Sequence, residues 1–382
     1  MVTLYMTNNK HFPRVLICSN YGWTLFNFRL PLIRFLQKSG FEVHLLAQED
    51  DYSDRLRKEV TSLKALFISR KGINPLIDIF TVLDMLLKFF ITKPDIILMY
   101  TIKPVIYGSI AAGWLGIPVV NTITGLGTAF VKDNWLTRIV EKLYKVALRS
   151  HVTVVFQNGD DQQLFIKRGL VGGNQTDCVP GSGIDLKRFS PLTYPSNESP
   201  IFLLVARLLR DKGIGEYVAA ARSVKVKYPN VRFQILGPLG VINRSAISRE
   251  QVDEWVVEGV IEYLGETDDV IPYIQAADCV VLPSYREGIS RTLLEASASA
   301  RPIVTTDTVG CKDVVNDGAT GLLCRVSDSE DLAAKLLLMI NMPREDRARM
   351  GMMGRKKVEQ EFSQEIVFDR YLRIIKDKCN GI

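Results

Sequence analysis

The sequence is poor in the residue patterns that build metal sites and covalent cross-links. Its six cysteines include no C-x-x-C pair, and only three histidines occur among 382 residues. Zinc sites need closely spaced cysteine and histidine ligands, and disulfide frameworks need paired cysteines. The chain therefore gives little support to either, and we expect reduced thiols in a cytosolic protein.

The sequence also lacks aspartate pairs at D-x-D spacing and an uninterrupted apolar run long enough to span a membrane. No D-x-D pair is present, so a common carboxylate clamp for Mg²⁺ is missing and no metal cofactor is expected. The first residues, MVTLYMTNNKHFPR, lack the apolar core of a signal peptide. Residues 104–131 carry no charge, but two prolines and five glycines interrupt them, which argues against a membrane-spanning helix.

The positive charge is concentrated in one half of the chain. The formal net charge is +6, of which residues 1–190 carry +8 and the remainder −2. This bias favours an anionic partner, such as a phospholipid, a lipid diphosphate or a nucleic acid, although a solvated basic surface has the same composition. Nucleic acid is disfavoured because the basic residues lack the interleaved aromatic side chains of nucleic-acid-binding modules.

Short apolar runs alternate with segments of helical periodicity along the whole chain. This alternation is typical of an α/β fold with parallel, doubly wound sheets. The predicted strands are residues 14–19, 42–47, 65–68, 95–100, 118–122, 152–156, 201–206, 232–236, 261–264, 279–282 and 302–305. The predicted helices include residues 28–39, 75–92, 213–227, 268–276, 291–299 and 329–340.

The composition changes near residues 180–200, where PGSGIDLKRFSPLTYPSNESP is rich in Pro, Ser and Gly. We therefore predict two Rossmann-like domains, residues 1–190 and 191–382, with a last helix that is able to pack back on the first domain. Ligands of such sheets bind at the carboxyl ends of the strands. Two substrates are thus expected in a central cleft that both domains face.

The most informative stretch is PSYREGISRTLLEASASARPIV, residues 283–304. Glu287 precedes the predicted helix, and Glu295 lies inside it, about two turns further on. The helix N-terminus between them suits a diphosphate, and Glu295 is then placed to accept hydrogen bonds from sugar hydroxyls. The backbone N–H groups expected to bind the donor are those of Gly288, Thr292 and Leu293. From spacing alone, two surface glutamates are the simpler interpretation.

A basic pair follows the predicted strand at 201–206. The segment VARLLRDKG places Arg207 and Lys212 in the connecting turn, where both can reach a diphosphate. Positive charge there would stabilise a departing nucleoside diphosphate without a metal ion. Taken by themselves, the two residues are explained at least as well as ordinary basic residues of a loop.

The first half of the chain carries four weaker candidates near its strand ends. Gly22 leaves room for a phosphate after the first strand, although the sequence has no G-x-G-x-x-G pattern. Arg29, at the start of a helix, either faces the cleft or supports the structure. Lys103 either contacts a phosphate or faces solvent. Gly127, in the loop TGLGTAF, belongs either to an acceptor lid or to a long turn.

Two stretches of the first half bear on membranes. LIDIFTVLDMLLKFF, residues 76–90, is very apolar, and core packing explains it better than membrane contact does. WLTRIVEKLYKVALRS, residues 135–150, is amphipathic and basic, which is typical of a helix at a membrane interface. We favour membrane contact over a solvated face for this second stretch.

Together, these segments make the chain resemble glycosyltransferase family 4 over nearly its whole length. EGISRTLLE, RLLRDK and TGLLC occur in the family's order. YGWTLFNFRLP, YTIKPVIYG and TITGLGTAF resemble the capsule, O-antigen and N-glycan branch, whose members extend sugars on undecaprenyl diphosphate. The chain departs from the family at Ile289 and Ser290, where Phe-Pro is common. It also has Lys103 where many members have a histidine, and Gly22 alone where they have two glycines.

The resemblance implies a retaining enzyme of the two-domain GT-B type that needs no metal. Arg207 and Lys212 would neutralise the leaving diphosphate, while Glu287 would hold hydroxyls of the donor sugar and Glu295 the ribose. The first domain would bind the acceptor and the second the nucleotide sugar.

The function expected from this resemblance is transfer of an N-acetylhexosamine, with GalNAc as the first choice. The donor would be a UDP-sugar and the acceptor a saccharide on undecaprenyl diphosphate, in the synthesis of a bacterial surface polysaccharide or glycan. The protein would then be cytoplasmic and peripheral at the inner face of the cell membrane. Two alternatives stay open: a sugar-nucleotide epimerase of the same shape, and a non-catalytic scaffold for polysaccharide assembly.

Overall fold

The chain folds into two compact units, each built around its own parallel sheet. The computed structural model describes residues 12–69, 74–126, 135–149, 151–240, 243 and 245–379. The first unit runs to Val179 and takes in the chain again from Phe368 onward, and the second unit is Pro180–Val367.

The first unit alternates strands and helices along the chain. Its strands are β1 (Arg14–Tyr21), β2 (Glu42–Gln48), β3 (Ser62–Ala65), β4 (Ile96–Tyr100), β5 (Val119–Ile123), β6 (Val152–Phe156) and β7 (Thr176–Cys178). Its helices are α1 (Gly22–Lys38), α2 (Ser53–Arg57), α3 (Pro75–Thr92), α4 (Ser109–Leu115), α5 (Trp135–Ala147) and α6 (Gly159–Lys167), with a π-helical turn at Pro104–Gly108. The strand order is β3-β2-β1-β4-β5-β6-β7, and every pair is parallel.

The second unit repeats this plan. Its strands are β8 (Ile201–Val205), β9 (Arg232–Leu236), β10 (Glu262–Tyr263), β11 (Cys279–Leu282), β12 (Ile303–Thr306) and β13 (Gly321–Cys324). Its helices are α7 (Ile214–Lys227), α8 (Arg249–Val257), α9 (Ile271–Ala276), α10 (Arg291–Ala298), α11 (Ser329–Asn341) and α12 (Arg344–Glu361), and α13 (Gln364–Cys379) leads into the first unit. The parallel order β10-β9-β8-β11-β12-β13 makes β8 and β11 neighbours.

The central strands are buried on both faces, as parallel sheets require. Every residue of β4, β5, β6 and β8 is buried. In the first unit, one core cluster joins the sheet to three helices through Phe89 of α3, Ala112 of α4 and Tyr144 of α5. These three helices therefore cover the same face of that sheet. Within the described ranges, no helix is both long and apolar enough to cross a bilayer.

Helix α1 begins at Gly22 rather than at the predicted residue 28. The side chain of Asp50 stabilises this earlier start, because its carboxylate accepts a hydrogen bond from the Trp23 amide at 2.7 Å. A cap supplied from beyond β2 leaves no signal in the local sequence. Strand β3 likewise lies at Ser62–Ala65, ahead of the predicted 65–68.

The boundary between the units also differs from the predicted one at 190/191. The Pro- and Gly-rich segment after Val179 packs with the second unit, since Ile184 and Phe189 are buried in that unit's core. The end of α13 returns to the first unit, where Tyr371 Oη lies 2.7 Å from Thr122 Oγ1 and Phe368 stacks on Phe35.

Candidate active site

Two loops lie side by side at the carboxyl edge of the second sheet because β8 and β11 are neighbours. One loop follows β8 and contains residues 206–213, and the other follows β11 and contains residues 283–290. The carbonyl oxygen of Asp211 joins them, accepting hydrogen bonds from the Tyr285 amide at 2.9 Å and from Ser284 Oγ at 3.2 Å. Residues far apart in sequence are thus brought to one place.

This adjacency brings two of the predicted residues into contact. Lys212 Nζ lies 2.5 Å from Glu287 Oε1, and their side chains are only 16% and 15% exposed. A short, charge-assisted hydrogen bond in a half-buried position fixes both groups. Glu287 also lies close to the buried thiol of Cys311, whose pKa is raised to about 12 by burial and by the Glu287 carboxylate.

Two glycines make the close approach of these loops possible. Gly213 has a φ of +72°, and a Cβ there would lie 2.1 Å from the carbonyl oxygen of Pro283. Gly310, after β12, has a φ of +79°, and its Cβ would lie 2.5 Å from the Glu287 carbonyl oxygen. The Glu287 amide donates a hydrogen bond to the Val309 carbonyl at 3.0 Å. This bond holds the segment that contains Gly310 against the loop that follows β11.

Arg207, the other half of the basic pair, differs from Lys212 in its surroundings. It follows β8 directly and is exposed. Within the part of the chain that the structure describes, its guanidinium makes no hydrogen bond or ion pair. Its charge is therefore available to a ligand, whereas that of Lys212 is shared with Glu287.

The second predicted acid lies on α10. Glu295 is 7% exposed, and its Oε1 accepts a hydrogen bond from Arg291 Nε at 2.8 Å. Burial raises the pKa of Glu295, while the neighbouring Arg291 guanidinium opposes this rise. Thr292 Oγ1 donates to the Val205 carbonyl at 3.0 Å, which holds the start of the helix against the end of β8.

The N-terminus of α10 is partly capped from within the chain. Ser290 is the N-cap residue, and its Oγ accepts a long 3.5 Å hydrogen bond from the Leu293 amide. The Leu293 side chain is fully buried, and Gly288 is buried in the preceding loop. The three backbone positions predicted to bind a diphosphate are Gly288, Thr292 and Leu293. They lie around one helix start, where Ser290 already engages the Leu293 amide.

The raised pKa of Glu295 predicts a specific dependence of stability on pH. The folded state holds this proton more tightly than the unfolded chain does, so stability falls as pH rises from 4.5 through the raised pKa. Glu295→Gln should remove this contribution. Urea denaturation of both proteins across that range measures it: the difference between their free energies of unfolding should change with pH, and parallel curves would contradict the assignment.

In the first unit, the space beside Gly22 is already filled. A Cβ at Gly22 would lie 2.5 Å from Asp50 Oδ1, and Asp50 Oδ2 accepts a hydrogen bond from the Trp23 amide at 2.7 Å. A carboxylate thus occupies the helix N-terminus where a phosphate was predicted, and its charge repels a second anion. The prediction missed Asp50 because it comes from a distant segment.

The other first-unit candidates are held inside the fold. Lys103 does not face solvent, since its Nζ lies 2.9 Å from Asp78 Oδ1 and the two side chains are 18% and 8% exposed. Arg29 is 3% exposed, and its guanidinium carbon lies 4.0 Å from the ring centroid of Tyr100, at the end of β4. Gly127 lies outside the described residues.

The side chains of the second-unit site can bind an anion, and they place hydrogen-bond-accepting carboxylates in the same site. One free guanidinium and one paired ammonium suit a diphosphate, and two fixed carboxylates suit hydroxyl groups. Over the ranges that the structure covers, no group of three or more His, Cys, Asp or Glu is placed to hold a metal ion. The residues that sequence reasoning overlooked are Asp211, Gly213 and Gly310, which allow the loops to pack closely together.

Two family models match the chain, one on each unit. Residues 14–158 match "Glycosyl transferase 4-like", and residues 192–357 match "Glycosyl transferases group 1". Arg207, Lys212, Glu287 and Glu295 all lie within the second match. Together the two matches take in most of the chain.

Relatives that match nearly the whole chain extend this comparison. The chain is 27% identical to the N,N'-diacetylbacillosaminyl-diphospho-undecaprenol alpha-1,3-N-acetylgalactosaminyltransferase of Campylobacter jejuni, over 94% of this chain and 98% of the relative. It is 25% identical to the capsular polysaccharide biosynthesis glycosyltransferase CapM of Staphylococcus aureus, over 89% and 92% of the two chains.

Solved structures show the same architecture. Anabaena HepE, in complex with UDP and glucose, superposes with a TM-score of 0.76 at 17% identity, covering 95% of this chain and 99% of that one. At this identity the likeness speaks for the fold alone, two Rossmann-like units of the GT-B type. With both units matched by their family models, the chain belongs to the group 1 and family 4-like glycosyltransferases and is an enzyme of that class.

Proposed function

We propose that this glycosyltransferase moves an N-acetylhexosamine, GalNAc in the first instance, from a UDP-sugar to a saccharide carried on undecaprenyl diphosphate. Transfer retains the configuration at the anomeric carbon and needs no metal ion. The product is an intermediate of a bacterial surface polysaccharide or glycan. The enzyme works in the cytoplasm, at the inner face of the cell membrane.

The observation that carries this proposal is the contact between Lys212 and Glu287, in the loop that also carries Arg207, whose guanidinium forms no ion pair with a described residue. In the reaction, the bond from the anomeric carbon to the UDP oxygen breaks, and negative charge grows on the departing diphosphate. Arg207 and Lys212 supply positive charge where it develops, in a partly dehydrated site. This is why no metal ion is required.

The proton balance follows from the state of the two acids. Glu287 is tied to Lys212 and Glu295 to Arg291, so neither is placed as a free general base. The acceptor hydroxyl therefore passes its proton to the departing phosphate oxygen as its own oxygen bonds the anomeric carbon from the same face. Glu287 holds hydroxyls of the donor sugar, and Glu295 accepts hydrogen bonds from the ribose.

The choice of substrates rests on the relatives and on charge. The Campylobacter relative's name specifies an N-acetylgalactosaminyl group and an undecaprenol diphosphate acceptor. The net charge of +8 on residues 1–190 suits an anionic lipid diphosphate. We assign the donor to the second unit alone, because Asp50 occupies the helix start at Gly22.

A donor and acceptor screen tests the proposal directly. Purified protein is incubated in EDTA with UDP-GalNAc, UDP-GlcNAc, UDP-glucose or GDP-mannose, each with and without a short-chain polyprenyl-diphosphate saccharide. We expect UDP release only when a UDP-N-acetylhexosamine and the acceptor are both present. The anomeric configuration of the isolated product should equal that of the donor by NMR.

Other outcomes overturn defined parts of the proposal. Conversion of the donor without acceptor indicates an epimerase, and GDP release or an inverted product refutes the donor class or the stereochemistry. Activity that appears only after Mg²⁺ or Mn²⁺ is added refutes the metal-free mechanism. No release and no calorimetric binding of any sugar nucleotide would leave a non-catalytic scaffold.

A further inference from the structure

Helix α3 has an apolar face that no other part of the described structure covers. Its side chains recur at helical spacing and are between 49% and 69% exposed. They are Leu76, Ile79, Phe80, Leu83, Leu87 and Phe90. The opposite side of the helix, which includes Met85 and Phe89, is fully buried. The prediction that residues 76–90 are apolar for core packing is therefore right for one side of the helix only.

The charged residues of α3 do not interrupt this outward face. Asp78 is buried against Lys103 at 2.9 Å, and Asp84 pairs with Lys88 at 2.5 Å. Asp84 also accepts a hydrogen bond from the backbone amide of Phe67 at 2.9 Å. This contact brings the exposed Phe67 ring beside the helix. A continuous exposed patch of large apolar side chains marks an interaction surface rather than ordinary surface.

The neighbouring helices give this surface a basic, aromatic border. Helix α4 packs against both α3 and α5, and its Trp114 is 65% exposed. Along α5, exposed Trp135, Ile139 and Val146 alternate with exposed basic residues. The basic residues of α5 are Arg138, Lys142 and Lys145, and Arg149 follows the end of the helix. The one acid of α5, Glu141, is paired with Arg168 at 2.5 Å.

We infer that the α3–α4–α5 layer is the surface by which the enzyme binds an anionic lipid bilayer. The outward face of α3 enters the acyl region, Trp114 lies at the level of the head groups, and the basic residues of α5 bind anionic head groups. The charge of α5 selects this occupant, because an apolar patch that pairs with a protein copy has no need of a row of basic residues beside it that form no ion pair with the described residues. The inference rests on the proposed function for its purpose, delivery of the enzyme to a lipid-linked acceptor.

Co-sedimentation of the full chain with vesicles tests the surface. One set of vesicles contains phosphatidylglycerol and phosphatidylethanolamine, and the other contains phosphatidylcholine only. The α3 variant is F80E/L83E, and the α5 variant is K142E/K145E. The matched control is V226E/V257E, which places two acids at apolar positions of the second unit that are each 88% exposed.

We expect the control to bind vesicles as the wild type does. The α3 variant should bind both kinds of vesicle about tenfold more weakly or worse, because charge replaces the inserting side chains. The α5 variant should lose about tenfold on the anionic vesicles alone, together with most of the salt dependence.

The inference is overturned if the wild type does not sediment with anionic vesicles, or if F80E/L83E sediments as well as the wild type. It is also overturned if F80E/L83E splits a dimer seen by gel filtration, since a second copy then covers the face. Transfer to a short-chain acceptor without vesicles is the separate readout: it should survive in F80E/L83E, which also shows that the variant folds. If neither the wild type nor any variant transfers sugar to the short-chain acceptor, the proposed function is contradicted, while the vesicle-binding result stands.

Discussion

Arg207→Ala is expected to lower kcat about a hundred- to a thousandfold, which corresponds to about 2.7–4 kcal/mol of lost transition-state stabilisation. The effect should fall on kcat because the guanidinium meets a charge that grows only as the diphosphate departs. The melting temperature should not change, since Arg207 is exposed and its guanidinium makes no hydrogen bond or ion pair with a described residue. Steady-state UDP release and thermal unfolding of the same protein measure both quantities.

Lys212→Ala should cause a similar loss of kcat with an added cost in stability. Removal of the ammonium leaves the Glu287 carboxylate without its 2.5 Å partner in a half-buried position, at a cost of about 1–2 kcal/mol. The double variant K212A/E287A should recover part of this stability and none of the activity. Recovery of activity in the double variant would show that the lysine serves only to neutralise the acid.

Arg210→Ala is the matched control for the basic pair. Arg210 belongs to the same loop and is exposed, but it has no place in the proposed donor site. Its loss should leave kcat at the wild-type level. An equal fall of kcat in R207A and R210A would indicate a general effect of positive charge on the loop and would refute the specific role of Arg207.

Gly213→Ala should lower both the stability of the second unit and the activity of the site. Alanine at a φ of +72° is strained, and its Cβ would lie 2.1 Å from a backbone oxygen of Pro283, which no rotamer change relieves. We expect a loss of about 3 kcal/mol in the free energy of unfolding. Since the two loops must separate to admit the methyl group, the contact between Lys212 and Glu287 should break and kcat should fall with it.

Gly215, two residues further on, provides the control for this prediction. It lies in the first turn of α7, its φ is outside the left-handed region, and a Cβ there would meet no atom within 4 Å apart from its chain neighbours and the backbone of its own helix. Gly215→Ala should be neutral or should stabilise the protein by up to about 1 kcal/mol through helix propensity. Equal urea midpoints for G213A and G215A would show that the two loops are not packed as described.

The sequence predicts best where the local pattern is complete. The buried run 152–156, with four β-branched residues, and the strands at 232–236 and 279–282 are confirmed at both ends. The helix at 75–92 is also confirmed, because Asn74 caps it and Pro75 begins it. Here composition, capping and length all act within the segment itself.

The features that escaped prediction depend on residues brought together by the fold. The contact between Lys212 and Glu287 requires β8 and β11 to be neighbours, although β9 and β10 separate them along the chain. The family resemblance singled out both residues but gave no sign that they touch. The exposure of α3 escaped prediction for a related reason, since an apolar side chain in a sequence does not show whether anything covers it.

The carboxylate of Asp50 at the start of α1 sets the first half apart from the second. In the first half an acid from the same chain already fills the helix start after the first strand, whereas the second-half helix start proposed to bind the donor, that of α10, follows β11. That half carries its own permanent counter-ion, so a free nucleotide gains nothing by competing there. One side chain of the first half thus closes this helix start to a second anion.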